Sequence, residues 1–171
     1  LDILVLHGPA QHVDEISRFS AVKKALSESG LKYRFVHEIY ADWFHERAGL
    51  HIKHLLSTGR FSEVDAIVSM NDDMAMASLE AIDQAEEQRW LPIFSVDGIK
   101  EAIEAVREGR LVMTVSHDII TVARVIYAIT QGATDELKMF ALTSRPFEGH
   151  TVLVNSKVIT RDNAAYELSR H

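Results

Sequence analysis

Two strand-then-helix units decide the fold of this chain, DAIVSMNDDMAMASLEAID at residues 65–83 and LPIFSVDGIKEAIEAVREGRLVMTVSHD at residues 91–118. In each unit a short apolar run rich in valine and isoleucine ends in acidic or amide residues, and apolar residues at helical spacing follow at once. This order is typical of a strand, a polar turn and a helix in an α/β sheet. Because such sheets bind ligands at the carboxyl ends of their strands, we expect the polar turn residues to line one crevice.

The rest of the first 117 residues continues the alternation of strands and helices. The pattern predicts strands at 2–7, 32–39, 65–70, 92–96 and 111–116, and helices at about 13–29, 42–59, 73–86 and 100–108. Asp42 is in position to cap the second helix, and Gly30 and Gly59 are in position to end the first and second helices. Five such units in succession predict an α/β fold with a doubly wound, mostly parallel sheet and right-handed crossovers.

The pattern changes beyond residue 117. Residues 118–131 are predicted to form a helix capped by Asp118, with apolar residues on nearly every face. A helix of this kind needs packing partners on two sides. Either it lies between two elements of this same domain, or it belongs to a second lobe that this chain lacks. A short helix near 135–142, a strand at 151–154 and a turn at 161–163 are predicted after it.

Composition excludes several classes of protein. The net charge is -7 and no five basic residues cluster, so direct contact with nucleic acid is not expected. The absence of cysteine excludes disulfides and zinc sites built from thiolates. The longest apolar run, near 119–129, is interrupted by Arg124 and is too short to span a bilayer. No signal peptide is visible, and the chain opens at Leu1 inside a strand without a methionine, so we expect an upstream segment that this sequence does not include.

The polar turns would also suit an enzyme. Asn71, Asp72, Asp73 and Asp97 are oxygen-rich enough for general acid and base catalysis or for Mg²⁺. However, no strand is followed by GxSxG, a P-loop or GxGxxG, so the sequence supplies neither a nucleophile elbow nor a phosphate cradle. We therefore interpret the chain as a binding protein that is not an enzyme and uses no cofactor. The alternative, a complete enzyme domain, would show turnover with a metal or a nucleotide.

Three histidines invite a metal-site interpretation. His51 and His54 lie one helical turn apart, and His45 precedes them on the same predicted helix. Phe44, Ile52, Leu55 and Leu56 are predicted to define the buried stripe of that helix. We therefore predict that the histidines lie on a solvated flank and form no metal site.

Four motifs carry a resemblance to a known family. They are Asn71, Asp72, Met74 and Ala75 in MNDDMAMASLEAI, Asp97 and Gly98 in SVDGIKEAIEAVREGRL, TVSHD at 114–118, and ITRDN at 159–163. In this order they resemble the periplasmic binding protein type 1 family, the sugar-binding proteins of the ribose-binding and LacI-core type. The resemblance covers practically the whole chain, but only the C-terminal part of the family's two-lobe architecture. It implies a Rossmann-like C-terminal ligand-binding lobe at 1–117. It also implies a crossover helix and tail at 118–171, which in the family packs on the N-terminal lobe that this chain lacks, and returns.

The resemblance also implies four ligand-binding residues, Arg18, Asn71, Asp97 and His117. Arg18 would donate a fork of hydrogen bonds to sugar hydroxyls or a carboxylate, unless it is a surface arginine paired with an acidic neighbour. Asn71 would donate to and accept from hydroxyls, its alternative being helix capping, which Asp72 could perform instead. Asp97 would accept two hydroxyl hydrogens, its alternative being an ordinary turn aspartate. His117 replaces the glutamine or other polar residue common in the family, and would make ligand affinity depend on pH if it faces the crevice.

The implied function is that of a receptor fragment. It would bind a small polyhydroxylated ligand, a sugar or sugar-like molecule, for ABC transport or sensing, by hinge closure of two lobes. The alternative is the effector-binding core of a LacI-type transcription regulator. The first function implies a periplasmic location and an ABC permease or membrane sensor as partner, and the second a cytoplasmic location. We further expect weak ligand affinity, and either self-association through the helix at 119–129 or binding of the missing N-terminal lobe through it.

Overall fold

The computed structural model describes residues 1–87, 89–132, 135–143, 147–148 and 151–170. The chain forms two compact units. The first consists of Leu1–Thr114 with Ile159–His171, and the second of Val115–Val158.

The described elements alternate as strands and helices over most of the chain. In chain order they are β1 Asp2–His7, α1 Val13–Glu28, β2 Arg34–Tyr40, α2 His45–Ser57, a 3-10 turn Arg60–Glu63, β3 Ala66–Ser69, α3 Asp72–Gln84, β4 Ile93–Asp97, α4 Lys100–Glu108, β5 Met113–His117, α5 Ile119–Thr130, α6 Glu136–Thr143, β6 Phe147–Glu148, β7 Thr151–Val152, β8 Ser156–Thr160 and α7 Ala164–Leu168. Six strands form one sheet in the order β2-β1-β3-β4-β5-β8, while β6 pairs antiparallel with β7. The strand β1 runs parallel to both β2 and β3, and β3 runs parallel to β4. The predicted α/β fold with a mostly parallel sheet is confirmed.

The core of the first unit is centred on β1. Leu4, Val5 and Leu6 are fully buried, as expected for a parallel strand with helices on both faces of its sheet. On one side α2 packs against α3, and a Cβ at Gly49 of α2 would lie 3.8 Å from the Cβ of Ala77 in α3.

Two local predictions from the sequence are wrong. Asp42 does not cap α2, whose N-cap is Phe44 without a side-chain hydrogen bond. Instead Asp42 has a left-handed backbone, with φ +55°, and its carboxylate pairs with Arg47. The predicted strand at 151–154 is shorter, and a strand that was not predicted, β8, follows it and joins the large sheet. In contrast Asp118 caps α5 as predicted, its carboxylate accepting from the Thr121 backbone N–H at 2.9 Å.

In the second unit, α5 packs against α6, but much of its apolar surface is exposed. The buried side chains of α5 are Thr121 and Val125. Five large side chains, 47% to 68% exposed, form what we call the open face of α5: Ile119, Ile120, Ile126, Tyr127 and Ile129. In the described residues α5 is therefore not enclosed on two sides, which was the first of the two alternatives. No helix within the described ranges is both long and apolar enough to cross a membrane.

Candidate functional site

The candidate site lies at the carboxyl edge of the sheet in the first unit. Since β1, β3 and β4 are parallel, their carboxyl ends meet at this edge. Asn71 follows β3 and Asp97 ends β4, while Arg18 reaches the same edge from α1. Three of the four residues predicted from the sequence therefore belong to one side of one sheet.

Arg18 joins the turns that follow β3 and β4. Its Nη2 lies 2.9 Å from the Asp97 Oδ1, and its Nη1 donates to the carbonyl oxygen of Met70. The Arg18 side chain is 20% exposed and that of Asp97 is 35% exposed. Arg18 is thus not paired with its acidic neighbour Glu15, which is buried and bound elsewhere. The geometry instead holds a guanidinium and a carboxylate side by side, with both partly open to solvent.

The backbone of Asp97 is strained. Its φ is +134°, and that of the following Gly98 is +73°. Residues other than glycine adopt such angles at a cost of about 1–3 kcal/mol, and they concentrate at functional sites. A plain turn would place glycine at both positions. The strain therefore points to a requirement for the carboxylate of Asp97 at this position.

Trp43 is the site residue that sequence reasoning missed. Its ring lies 5.5 Å from the Arg18 guanidinium carbon, and its backbone is left-handed with φ +69°. The ring approaches the turn after β1 so closely that a Cβ on Gly8 would lie 2.1 Å from the nearest ring atom. An aromatic residue just after a strand, together with a glycine just after the neighbouring strand, was the available signal. An indole ring beside a partly open ion pair provides an apolar wall for a ligand.

Asn71 is largely occupied by the protein itself. Its Oδ1 accepts from the Met74 backbone N–H at 3.0 Å and so caps α3, while its Nδ2 donates to the Trp43 carbonyl oxygen at 3.3 Å. The residue is only 6% exposed. Capping is therefore performed by Asn71, and not by Asp72, which is fully buried among hydroxyls. Through its contact with Trp43, Asn71 ties the turn after β3 to the turn after β2.

A buried pair supports the turn after β1. The Glu15 carboxylate accepts from the Gly8 backbone N–H at 2.6 Å, and its other oxygen lies 2.6 Å from the His7 Nδ1. His7 is fully buried and stacks on the ring of Tyr40, with centroids 4.6 Å apart. These contacts hold Gly8 where Trp43 approaches it, so Glu15 shapes the site without lying in it.

The fourth predicted residue, His117, lies in the second unit. Its ring is half-buried, and its Nδ1 is 3.2 Å from the Ser156 hydroxyl oxygen.

The three histidines considered for a metal lie in the first unit. His51 and His54 are exposed, as predicted, and His45 lies 3.3 Å from Glu80. Among the residues that the structure describes, no group of three or more histidine, aspartate or glutamate side chains could hold a metal ion.

A surface groove of about 340 Å³ lies elsewhere, between α2 and α3. Its walls include His45, Leu50 and Glu80, and it contains none of the four predicted residues. Concavity alone does not identify a ligand site, which also needs a few converging polar groups. We therefore base the assignment on the polar geometry at the carboxyl edge and not on this groove.

The sequence and the fold of the chain are both similar to those of known proteins. A family model described as "Periplasmic binding protein domain" matches residues 1–136. The chain is 26% identical over 133 residues to the D-galactose/methyl-galactoside binding periplasmic protein of Haemophilus influenzae, covering 76% of this chain and 39% of that protein. It is 28% identical over 116 residues to a xylitol-binding protein of Mycolicibacterium smegmatis, covering 66% of this chain and 32% of that protein.

Solved structures share the fold at lower identity. One is an ABC transporter periplasmic solute binding protein from Actinobacillus succinogenes with bound D-allose, with a TM-score of 0.75 and 20% identity, covering 96% of this chain and 54% of that chain. Another is an ABC transporter solute binding protein from Bacillus halodurans with bound myo-inositol, with a TM-score of 0.74 and 23% identity. This match covers 99% of this chain and 55% of that chain. The chain spans about half the length of these two structures and less than two fifths of the two curated relatives.

Proposed function

Since the chain belongs to the periplasmic binding protein domain family, we propose that its first unit is a ligand-binding lobe for a small polyhydroxylated molecule, a sugar or a sugar-like polyol. One observation carries the proposal: the guanidinium of Arg18 and the carboxylate of Asp97 lie 2.9 Å apart, partly exposed, beside the ring of Trp43. This arrangement offers donors, acceptors and an apolar wall to one ligand.

The chemistry of the pair suits adjacent hydroxyl groups. A guanidinium only donates hydrogen bonds and a carboxylate only accepts them, so together they complement hydroxyls, which do both. Hydrogen bonds to charged groups are worth about 1.5–3 kcal/mol each, and an analogue that lacks the hydroxyl would lose the hydrogen bonds that this hydroxyl makes to the pair. The indole ring of Trp43 would pack on the C–H face of the ligand. A ligand of this kind needs no net charge.

The relatives support this ligand class. Their names give galactose, xylitol, D-allose and myo-inositol as ligands, all of which carry several hydroxyl groups. They are binding proteins, which agrees with the interpretation that this chain is not an enzyme. Two of them are described as ABC transporter components and two as periplasmic proteins. For the protein that contains this chain we propose a periplasmic receptor that closes two lobes around its ligand and delivers it to an ABC permease.

Two further residues complete the proposed ligand set. Asn71 has both ends of its amide engaged by protein groups, so its direct contribution would come through the remaining capacity of its oxygen. His117 is proposed on the family resemblance. Replacement of His117 by glutamine, the common family residue, should keep binding.

The open face of α5 is the proposed contact with the second lobe. Exposed apolar patches of this kind mark interaction sites. In the absence of that lobe the face should drive self-association of the 171-residue chain. Light scattering should detect dimers or larger species, and Ile126→Ser with Tyr127→Ser should shift them toward monomer. Leu31→Ser, which removes an exposed apolar side chain in the first unit, is the control. A monodisperse wild-type monomer would contradict this contact.

Calorimetric titration with D-galactose, D-allose, L-arabinose, xylitol and myo-inositol tests the ligand class. We expect binding of at least one of them and loss of that binding in Asp97→Ala. Asp83→Ala is the matched control, because Asp83 also pairs with an arginine, Arg110, but lies at the far end of α3. If no polyol bound up to high millimolar concentration, or if both variants bound equally well, the proposal would fail.

A further inference from the structure

We propose that Asp72 is a positioning residue of the ligand site: its buried carboxylate holds the backbone from which Asp97 presents its own carboxylate. The inference rests on the proposed function, since it concerns the same ligand. The inference gives a role to a carboxylate that is buried and does not line the ligand site. Asp72 is fully buried, whereas the side chain of Asp97 is 35% exposed.

Three donors from three different elements converge on Asp72. Its Oδ1 accepts from the Ser95 hydroxyl at 2.5 Å and from the Thr114 hydroxyl at 2.7 Å. Its Oδ2 accepts from the backbone N–H of Ile99, the N-cap of α4, at 2.9 Å. Only a group that accepts at two oxygens and donates nowhere can satisfy all three donors. This explains an aspartate at this position better than any requirement for capping.

The charge of Asp72 is balanced by dipoles. No ion pair found in the described part of the chain involves Asp72. It is the first residue of α3, where the helix dipole and the unpaired N–H groups favour a negative charge. A buried charge costs free energy unless it is hydrogen-bonded. The three hydrogen bonds to the carboxylate offset this cost, so their geometry must be kept.

Two of the contacts hold the strained turn. The Ile99 N–H binds Asp72 directly, and the Gly98 N–H donates to the Thr114 hydroxyl at 3.2 Å, which in turn donates to Asp72. These two N–H groups directly follow Asp97, whose φ is +134°. A strained conformation persists only when its surroundings fix it. Asp72 fixes the turn, and the turn aims the Asp97 carboxylate at Arg18 and the ligand.

The third contact provides an internal control. Ser95 donates to the same Oδ1 as Thr114 and is almost as deeply buried. In contrast to Thr114, Ser95 has no hydrogen bond to the turn in this network. Removal of either hydroxyl destabilises the protein in the same way, by taking one donor from a buried carboxylate. Only loss of the Thr114 hydroxyl also releases the turn.

The test compares Thr114→Val, Asp72→Asn and Ser95→Ala in the native protein that carries this chain. D-Galactose is the first probe, or whichever of the five polyols binds the wild type most tightly. We expect Thr114→Val and Asp72→Asn to lose affinity roughly tenfold, the equivalent of one hydrogen bond, while Ser95→Ala stays within about twofold. All three should melt at a lower temperature. Equal loss of affinity in all three variants would overturn the positioning role.

Nuclear magnetic resonance of the ligand-free protein gives a second readout. The amide shifts of Gly98 and Ile99 should move, and their hydrogen exchange should accelerate, in Thr114→Val and Asp72→Asn but not in Ser95→Ala. Unchanged amides in the first two variants would refute the inference even if the protein binds sugars. Conversely, failure of the wild type to bind any polyol would refute the proposed function and leave the amide test standing. If Asp72→Asn does not fold, Thr114→Val alone decides the question. This variant keeps the carboxylate of Asp72 and nearly the same side-chain volume at position 114.

Discussion

The two edges of the sheet in the first unit both contain residues with a left-handed backbone, but they fill these positions with different amino acids. At the amino edge, helices lead into strands, and three of these residues are glycines, Gly30, Gly59 and Gly109, with φ between +71° and +81°. Glu86 is the exception there, with φ +52°. Glycine adopts these angles at no steric cost. The amino edge is therefore mostly relaxed.

At the carboxyl edge the same kind of position is occupied mainly by larger residues. Asp42, Trp43 and Asp97 have φ of +55°, +69° and +134°, and only Gly98 among these positions is glycine. Each of the three is held by a side-chain partner or a backbone contact from another part of the site. Strain of this kind, at about 1–3 kcal/mol per residue, is concentrated where the proposed ligand binds. The difference supports the proposal that the carboxyl edge presents side chains to a ligand.

Each edge also carries an arginine–aspartate pair, which makes the comparison testable. At the amino edge Arg34 binds Asp2 through two contacts of 2.6 Å, between two regular strands. At the carboxyl edge Arg18 binds Asp97 from a helix to a strained turn. We therefore expect the Arg34–Asp2 pair to contribute to stability and the Arg18–Asp97 pair to contribute to ligand binding.

The largest expected effect is on ligand affinity. Asp97→Ala should weaken binding of the best polyol by roughly 100-fold, because a charged acceptor of two hydroxyl hydrogens is lost. Asp2→Ala, the matched change at the amino edge, should leave affinity unchanged. Calorimetric titration of both variants measures this difference. Similar affinities for the two variants would break the distinction between the edges.

The second effect concerns the approach of Trp43 to Gly8. Gly8→Ala places a methyl group against the indole ring, where a Cβ would lie 2.1 Å from the nearest ring atom, so the Trp43 ring or the turn at Gly8 must shift. We expect a loss of stability of about 1–3 kcal/mol and a loss of affinity of roughly tenfold.

Gly30→Ala is the control for the glycine change. Gly30 has φ +71° and open space around a would-be Cβ, so this variant should lose about 1 kcal/mol of stability through backbone strain and no affinity. Urea denaturation and titration together separate the two results. Wild-type affinity in a folded Gly8→Ala protein would remove Trp43 from the proposed site.

A third prediction compares substitution by glycine with substitution by alanine at Asp97 and at Asp2. Both Asp97→Gly and Asp97→Ala remove the carboxylate, but only glycine tolerates φ +134°. Asp97→Gly should therefore be the more stable variant by about 1 kcal/mol. At Asp2, in a regular strand, the order should reverse, since glycine in a strand costs about 0.5–1 kcal/mol relative to alanine. Urea denaturation measures both orders, and an Asp97→Ala variant that is more stable than Asp97→Gly would show that the backbone of Asp97 is not strained.

The sequence was sufficient for the elements and for part of the site. Apolar runs and helical spacing are local signals, so β1, β4 and α4 were predicted within about two residues. Arg18 and Asp97 were selected through family motifs, and the structure brings them into contact. Their role in ligand binding stays a prediction.

The remaining features depend on interactions that the sequence pattern does not encode. Trp43 enters the site through a left-handed turn after β2, and no local pattern indicated positive φ at a tryptophan. Asn71 caps α3, the alternative role considered for it, and Asp72 does not, because α3 begins at Asp72 and not at about residue 73 as predicted, a difference within the usual uncertainty of helix ends. β8 was missed because its pairing in the large sheet is with a strand distant in the chain.

The smallest expected effect is the pH dependence of the amino-edge pair. The hydrogen bond from Arg34, aided by its charge, lowers the pKa of Asp2 below the usual value. A carboxyl group with a depressed folded-state pKa contributes stability above its unfolded pKa and loses it as the pH falls through the folded pKa. The contribution should therefore be present above about pH 4 and disappear at lower pH. Arg34→Gln should reduce stability slightly at neutral pH, and its unfolding midpoint in urea should converge with that of the wild type as the solution is acidified. A constant difference between the two proteins across this range would mean that Asp2 contributes through its backbone contacts and not through its charge, and the stabilising role given to the amino-edge pair would then have to be withdrawn.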